Sequence, residues 1–427
     1  MSVNILQDKV LKRSRIMYIF EAALEYYISI LVAGSFLATL TKELGFSDSL
    51  TGILSSVISL GCLFQLLSLS IRPKRAKKLV LILSVINQIL FMMLYVIPVT
   101  NLSSSLKTVL FIVFIFLAYL IYNFAHPKKI NWLMSLVDDN KRGSFTANKE
   151  IVSLTSGIAF SFIMGALIDY FRESGNIKMA FILTAIVIFV LMVLHTLTMV
   201  FATEKKIPYV RTENFFGSLK NLLKNQNIIR VTIVFVMYYV ACYISTPFYG
   251  TYQIGELGLS LTFISAIVMC GSMSRVFVSK FWGRYADKKS FAVMIEKCFI
   301  FLGCAQLCAV LAVPQTGKVM FVLYYVFNGI ALGGINSALI NLIFDYVPVE
   351  QRADSLAITQ AIAGFTGFIT TLLVSPLVSS IQSNGNKVFG ISIYAQQFVS
   401  IIALVVTITA VFYIRFVFIK KRSNKEG

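Results

Sequence analysis

Glu21 and Glu25 stand four residues apart in an apolar run that opens near Ile16. On a helix that spacing puts both carboxylates on one face. At a rise of about 1.5 Å per residue, Glu25 sits about 13 Å and Glu21 about 7 Å past the start of the run. An ionised carboxylate that far into an apolar medium costs several kcal/mol unless it faces water or a partner. Two of them one turn apart also repel, which favours a site that takes up and releases a proton or holds a cation. A structural reading stands beside this one: the acids pair with a basic side chain, and Glu21 reaches back to the surface.

Other polar side chains fall inside apolar runs. Arg275 lies at a depth similar to Glu25 and could meet a solute anion, pair with a glutamate, or bond to carbonyls. Tyrosines are concentrated: 12 of the 19 occupy four of the apolar runs. A phenol offers an apolar face and one hydrogen bond, which suits an organic solute. Tyr26, Tyr27, Tyr119, Tyr122, Tyr239, Tyr243, Tyr324 and Tyr325, with Asn123 and Asn328, are the candidates for a solute cavity; Tyr18, Tyr249 and Tyr252, at run ends, read as an interfacial belt. His126 and His195 are isolated, so no metal spacing, nucleophile triad or phosphate-cradling loop emerges. No cofactor and no enzymatic activity are expected. The six cysteines all fall in apolar runs and read as small core residues rather than disulfide partners.

The elements that must position these groups follow from composition. The 427 residues are 57% hydrophobic and only 13% charged, with a mean hydropathy of +0.81. Soluble domains hold roughly 45–50% apolar residues and about 25% charged ones, so a soluble enzyme and a secreted scaffold are both excluded. Apolar runs long enough to cross a bilayer fall at about 16–41, 49–71, 79–98, 107–126, 148–168 and 178–201, then 228–252, 260–282, 291–313, 318–344, 353–380 and 390–419. Of the 38 lysines and arginines, 29 lie in the segments on one side of these spans and six on the other. That bias places both termini in the cytoplasm and accounts for the net charge of +19 without nucleic acid. The expected organisation is a six-helix bundle over 1–201, a cytoplasmic linker over 202–227 carrying a short surface helix, and a second six-helix bundle with a basic tail over 228–427.

The halves repeat. At an offset of 210 residues, Asn131, Val137, Arg142, Ala147 and Gly157 fall on Asn341, Val347, Arg352, Ala357 and Gly367. Twelve spans in two repeats, with Gly283-Arg284-Tyr285-Ala286-Asp287-Lys288-Lys289 after the eighth, resemble the major facilitator superfamily and its signature G-x-x-x-D-[RK]-x-G-R-[RK]. The resemblance implies an all-α polytopic membrane protein: two pseudo-symmetric six-helix bundles around a cavity that opens alternately to each side. Spans 1, 4, 7 and 10 would line it. It also implies a cytoplasmic latch in which Asp287, with Gly283, Arg284 and Lys288, meets Arg142 and Arg352. The first-half loop Arg72–Lys78 lacks the acid and glycine, span 4 lacks the family's arginine, and span 5 lacks a Gly-Pro pair.

The function so implied is secondary active transport of a small organic solute, with Glu25 and Glu21 coupling it to protons. Efflux by proton antiport is the alternative, and a non-transporting receptor or scramblase on the same fold is a further one. Solute, protons and the lipid bilayer are the expected partners of a monomer in the cytoplasmic membrane of a bacterium.

Overall fold

A computed structural model of the chain describes residues 2–70, 76–137, 142–204, 225–347, 352–388 and 390–420. It is a helical protein. The first half runs α1 (Ser2–Leu31), α2 (Gly34–Glu43), α3 (Asp48–Ser70), α4 (Ala76–Val96), α5 (Ser104–Met134), α6 (Arg142–Glu173) and α7 (Ile177–Phe201). The second half runs α8 (Gln226–Tyr243), α9 (Thr246–Thr251), α10 (Leu261–Lys288), α11 (Phe291–Val310), α12 (Gly317–Tyr346), α13 (Arg352–Ser383) and α14 (Ala395–Ile414). A small antiparallel hairpin, β1 (Lys387–Val388) with β2 (Ile391–Ser392), precedes α14. Among the described residues eleven helices are long and apolar enough to cross a membrane, and α1 with α2 makes a twelfth, bent by 41°.

Local chemistry sets the boundaries. Ser103 and Ser290 accept hydrogen bonds from the amides of Leu106 and Val293 at the starts of α5 and α11, satisfying donors that a helix start leaves free. The α1–α2 break falls where Gly34 takes φ +51°, a left-handed conformation that glycine adopts without a Cβ clash. Apolar stripes set the faces. On α7, Ile182, Ile186, Phe189, Val193 and Leu197 are exposed, whereas Thr184, Ile188, Leu191, His195 and Met199 are buried. Both sets step by three or four residues, so one side of the helix suits lipid and the other packs inward.

The chain forms two compact units. One comprises Met1–Phe46, Phe64–Val210 and Ser260–Ser265; the other comprises Ser47–Leu63, Arg211–Leu259 and Ala266–Gly427. In the first, α1 packs on α6 and α7, and α4 on α5 and α7. Its core gathers Tyr18, Val80, Trp132, Leu133, Leu136, Val137 and Met199, and the Trp132 indole donates to the Thr203 carbonyl at 2.9 Å. In the second, α8 packs on α13 and α14, and α11 on α12 and α14. Ile244, Phe248, Val378, Ile381, Ala395, Val399 and Ala403 form its core.

Several sequence expectations are corrected. The span expected to end at His126 continues to Met134 with Pro127 inside it, so Lys128 and Lys129 belong to a helix rather than a loop. Span 7 breaks after Tyr243, restarts as α9 and ends in a π-turn over Tyr252–Glu256. Tyr18, Tyr249 and Tyr252 are 1%, 4% and 1% exposed; these phenols pack inside rather than forming an interfacial belt. The expected linker helix lies outside the described residues.

Candidate functional site

Four inward stripes of the first unit converge on one buried polar cluster. Ser14, Tyr18, Glu21, Glu25 and Ile28 recur every three or four residues on α1 and face inward, with all but Glu25 fully buried. Gln88 comes from the buried face of α4, Lys129 from α5 and His195 from α7. The Lys129 ammonium lies 2.8 Å from Glu21 Oε1 and also bonds Glu25 Oε2. His195 Nε2 lies 3.2 Å from Glu21 Oε1 and 3.6 Å from Glu25 Oε2. Its other ring nitrogen, Nδ1, is 2.9 Å from Gln88 Nε2. The side chains of Glu21, Lys129 and His195 are 2%, 6% and 0% exposed, while Glu25 keeps 18%. Glu25, Lys129, Gln88, Asn87, Ser84 and His126 line a small cavity beside the cluster.

The charges do not balance. Two carboxylates face one ammonium, and a neutral imidazole leaves the cluster one negative charge in excess. Burying an uncompensated charge is expensive, so the arrangement is neutral only when it holds one more proton. A metal ion is the other conceivable occupant, since ligand atoms of Glu21, Glu25 and His195 lie within 4.8 Å of one another. The Lys129 ammonium already sits on both carboxylates, however, and a divalent cation would meet that charge at contact distance. The set suits protons.

Sequence reasoning found the two glutamates and missed their partners. Lys129 lies two residues after Pro127 and read as loop; His195 read as isolated because no charged residue lies near it in the sequence. A signal was present: His195 lies on the same helical stripe as Thr184, Ile188 and Met199. The other candidates are distributed as follows. In the first unit Tyr26 packs on Gly157, Tyr27 stacks on Phe160 at 4.7 Å, and Tyr119 donates to the Val32 carbonyl at 3.2 Å. Asn123 Oδ1 accepts from Gln65 Nε2 at 2.9 Å, and Tyr122 stands 5.2 Å from the His126 ring. In the second unit Tyr239 stacks on Tyr243 at 5.8 Å, Tyr324 abuts Tyr325 at 5.2 Å, and Gln253 donates to the Tyr325 hydroxyl at 3.3 Å. Asn328 and Arg275 are half-buried on α12 and α10. Gly283, Arg284, Asp287 and Lys288 are exposed in the last turns of α10; the side chains of Arg142 and Arg352 lie outside the described residues.

A second acid organises the opposite end of the first unit. Asp169 on α6 accepts from the amides of Leu261 and Thr262 at 3.1 and 2.7 Å and from the Thr262 hydroxyl at 2.7 Å. It thus caps α10 from outside that helix. Gly165, one turn earlier, lets the backbones approach: a Cβ there would stand 3.1 Å from the Leu261 carbonyl.

Comparison with known proteins places the fold. None of the curated proteins compared matches the sequence. Among solved structures, the nucleoside transporter NupG in a point-mutant form is 14% identical, with a TM-score of 0.70 over 95% of this chain and 100% of that one. A D-xylose–proton symporter is 11% identical, with a TM-score of 0.68 over 94% and 96%. An auto-inhibited peptide transporter of the POT family is 11% identical, with a TM-score of 0.68 over 94% and 97%. Residues 20–371 match the sequence profile of the Major Facilitator Superfamily. Twelve potential spans, a helix packing repeated in two units and that match over most of the length agree: the chain belongs to the Major Facilitator Superfamily.

Proposed function

We propose that the protein is a secondary active transporter that moves a small organic solute by alternating access, with Glu25 and Glu21 coupling the solute to protons. The observation that carries this reading is the buried cluster of two carboxylates, one ammonium and one imidazole, short of neutrality by one proton. Solved relatives of the fold include transporters named for nucleosides, xylose and peptides, which supports the solute class. Each proton crossing with solute adds about 2.3 kcal/mol per 100 mV of membrane potential, enough for roughly fiftyfold accumulation. Asp287 with Arg284 and Arg352 serves as a cytoplasmic latch in this reading, on the strength of the signature in α10.

Purified protein in liposomes, offered a panel of nucleosides, pentoses and dipeptides under an imposed pH gradient, tests the proposal. Uptake along an inward proton gradient is expected; uptake only along an outward gradient would identify antiport instead. Glu25→Gln removes the negative charge that the proton balances, so solute exchange should persist while pH-driven accumulation is lost. Full accumulation by Glu25→Gln would leave that residue a structural partner of Lys129.

A further inference from the structure

The cluster needs one more proton, and the hydrogen bonding around His195 is built to hold it. Gln88 is 2% exposed, and its Nε2 donates to His195 Nδ1 at 2.9 Å. A carboxamide nitrogen only donates, so Nδ1 is bare and the ring hydrogen sits on Nε2, directed at Glu21 Oε1 3.2 Å away. The other end of the same carboxamide, Gln88 Oε1, is buried and has no hydrogen-bond partner among the described residues. A buried acceptor left unmade is costly and calls for an explanation. Half a turn about the terminal torsion presents that oxygen to Nδ1 instead. With Nε2 still donating to ionised Glu21, the ring that also satisfies this oxygen carries hydrogens on both nitrogens, and that ring is the imidazolium. Its positive charge brings Glu21, Glu25, Lys129 and His195 to two negatives and two positives. The pair therefore has two self-consistent arrangements that differ by one proton.

We propose that His195 Nδ1 is the resting place of the coupling proton, and that Gln88 is its positioning residue, turning its carboxamide end for end as the proton comes and goes. This rests on the proton-coupled reading above and names the atom that carries the proton; the two glutamates set the charge it balances. Gln88 lines the small cavity and His195 does not, so Gln88 is the contact between cavity water and the ring. In the loading step the Gln88 carboxamide swings off Nδ1 and admits hydronium from the cavity, which gives its proton to Nδ1: one O–H bond breaks, one N–H bond forms, and water remains. The turned carboxamide then points its own hydrogens toward the cavity, where Ser84 and Glu25 offer acceptors.

The ring itself meets Glu21, Glu25 and Gln88, and further titratable groups stand around these. The glutamates and Tyr18 come from α1, and Lys129 from α5 with His126 and Tyr122 behind it. On α6 the Lys149 ammonium stands 5.3 Å from the centre of the Tyr18 ring, and α4 contributes neutral Gln88. The odd proton thus lies between an acidic and a neutral neighbour, where a change in hydration moves it.

The chain contains two histidines, so nitrogen-15-labelled histidine reports on both alone, and His126→Gln assigns them. In full-length protein in lipid, His195 should show bare Nδ1 and protonated Nε2 at about pH 9, and two protonated nitrogens at about pH 5. Gln88→Met removes the hydrogen bond to Nδ1 while Glu21 still holds the Nε2 hydrogen, so the alkaline Nδ1 signal should shift toward that of an unbonded ring nitrogen with the tautomer unchanged. A His195 spectrum unchanged between those limits, or an alkaline ring protonated on Nδ1, overturns the proposal without reference to any variant. A Gln88→Met spectrum identical to that of the unmodified protein overturns the role of Gln88. The spectra need no solute. Absence of pH-driven flux for the whole panel would remove proton-coupled transport, and the nitrogen signals would still decide where the proton sits.

Discussion

Lys129 holds two carboxylates that would otherwise repel each other in a dry site. Removing one member of a buried ion pair leaves the rest uncompensated, at a cost of about 3–5 kcal/mol. Lys129→Gln should therefore lower the thermal unfolding midpoint more than Glu25→Gln does, because it leaves two negative charges rather than restoring balance. The double variant Lys129→Gln with Glu25→Gln should recover part of that loss, since the remaining Glu21 can be neutralised by His195 alone. Calorimetry of the three variants in the same detergent checks the order; a double variant less stable than Lys129→Gln would rule out the charge-balance account. The glutamates were legible in the sequence because an acid in an apolar run stands out. Lys129 was hidden because a histidine-proline-lysine-lysine stretch after a mostly apolar run over 109–125 reads as a helix end. Pro127 lacks the donor for one intrahelical bond, yet α5 carries on through it.

At the scale of helices, hydropathy and length made the spans legible, and the breaks were not. A bend at Val32-Ala33-Gly34 leaves mean hydropathy untouched, so nothing in a window average reveals it. One small-residue device recurs in both repeats. Gly157 on α6 receives the Tyr26 ring from α1, and Gly367 on α13 receives Tyr239 and Tyr243 from α8. The offset of 210 residues seen in the sequence thus pairs two glycines that do the same job. Gly165 serves a different contact, the approach of α6 to the first turn of α10. Gly165→Val should force these backbones apart and break the bonds from Leu261 and Thr262 to Asp169. Labelling of a cysteine at Ser265 by a membrane-impermeant maleimide should then rise several-fold. Unchanged labelling would mean that the two helices part without help from the glycine. A disulfide between Asp169→Cys and Thr262→Cys should stop solute flux, and reduction should restore it; flux through the cross-linked protein would show that these ends stay joined throughout the cycle.

In the whole molecule the two units share a packing scheme but not its chemistry. Residues 210 positions beyond Glu21, Glu25, Gln88, Lys129 and His195 are Val231, Phe235, Cys298, Leu339 and Val405, all without charge. The second unit joins α11 to α14 through a neutral pair instead, Thr407 donating to Gln306 Oε1 at 2.7 Å. The cluster of Glu21, Glu25, Lys129 and His195 thus has no counterpart at the equivalent positions of the second repeat. The excess of basic loops on one side sets the expected orientation: a fluorescent protein that matures only in the cytoplasm should glow when fused after Gly427. A dark fusion with intact protein would invert the topology.

The ion pair between Glu25 and Lys129 spans 104 residues of chain, and that separation bears on how the protein is made. At about 5–20 residues per second a ribosome needs roughly five to twenty seconds to get from one partner to the other. Through that interval α1 carries two carboxylates with no counter-charge, each worth about 2.5–3.5 kcal/mol against entry into the bilayer. His195 arrives later still. On this account α1 settles only after α5 brings the lysine, although it is made well before α5. Nascent chains arrested before Lys129 should leave α1 extractable by alkaline carbonate, and chains arrested after α7 should hold it fast.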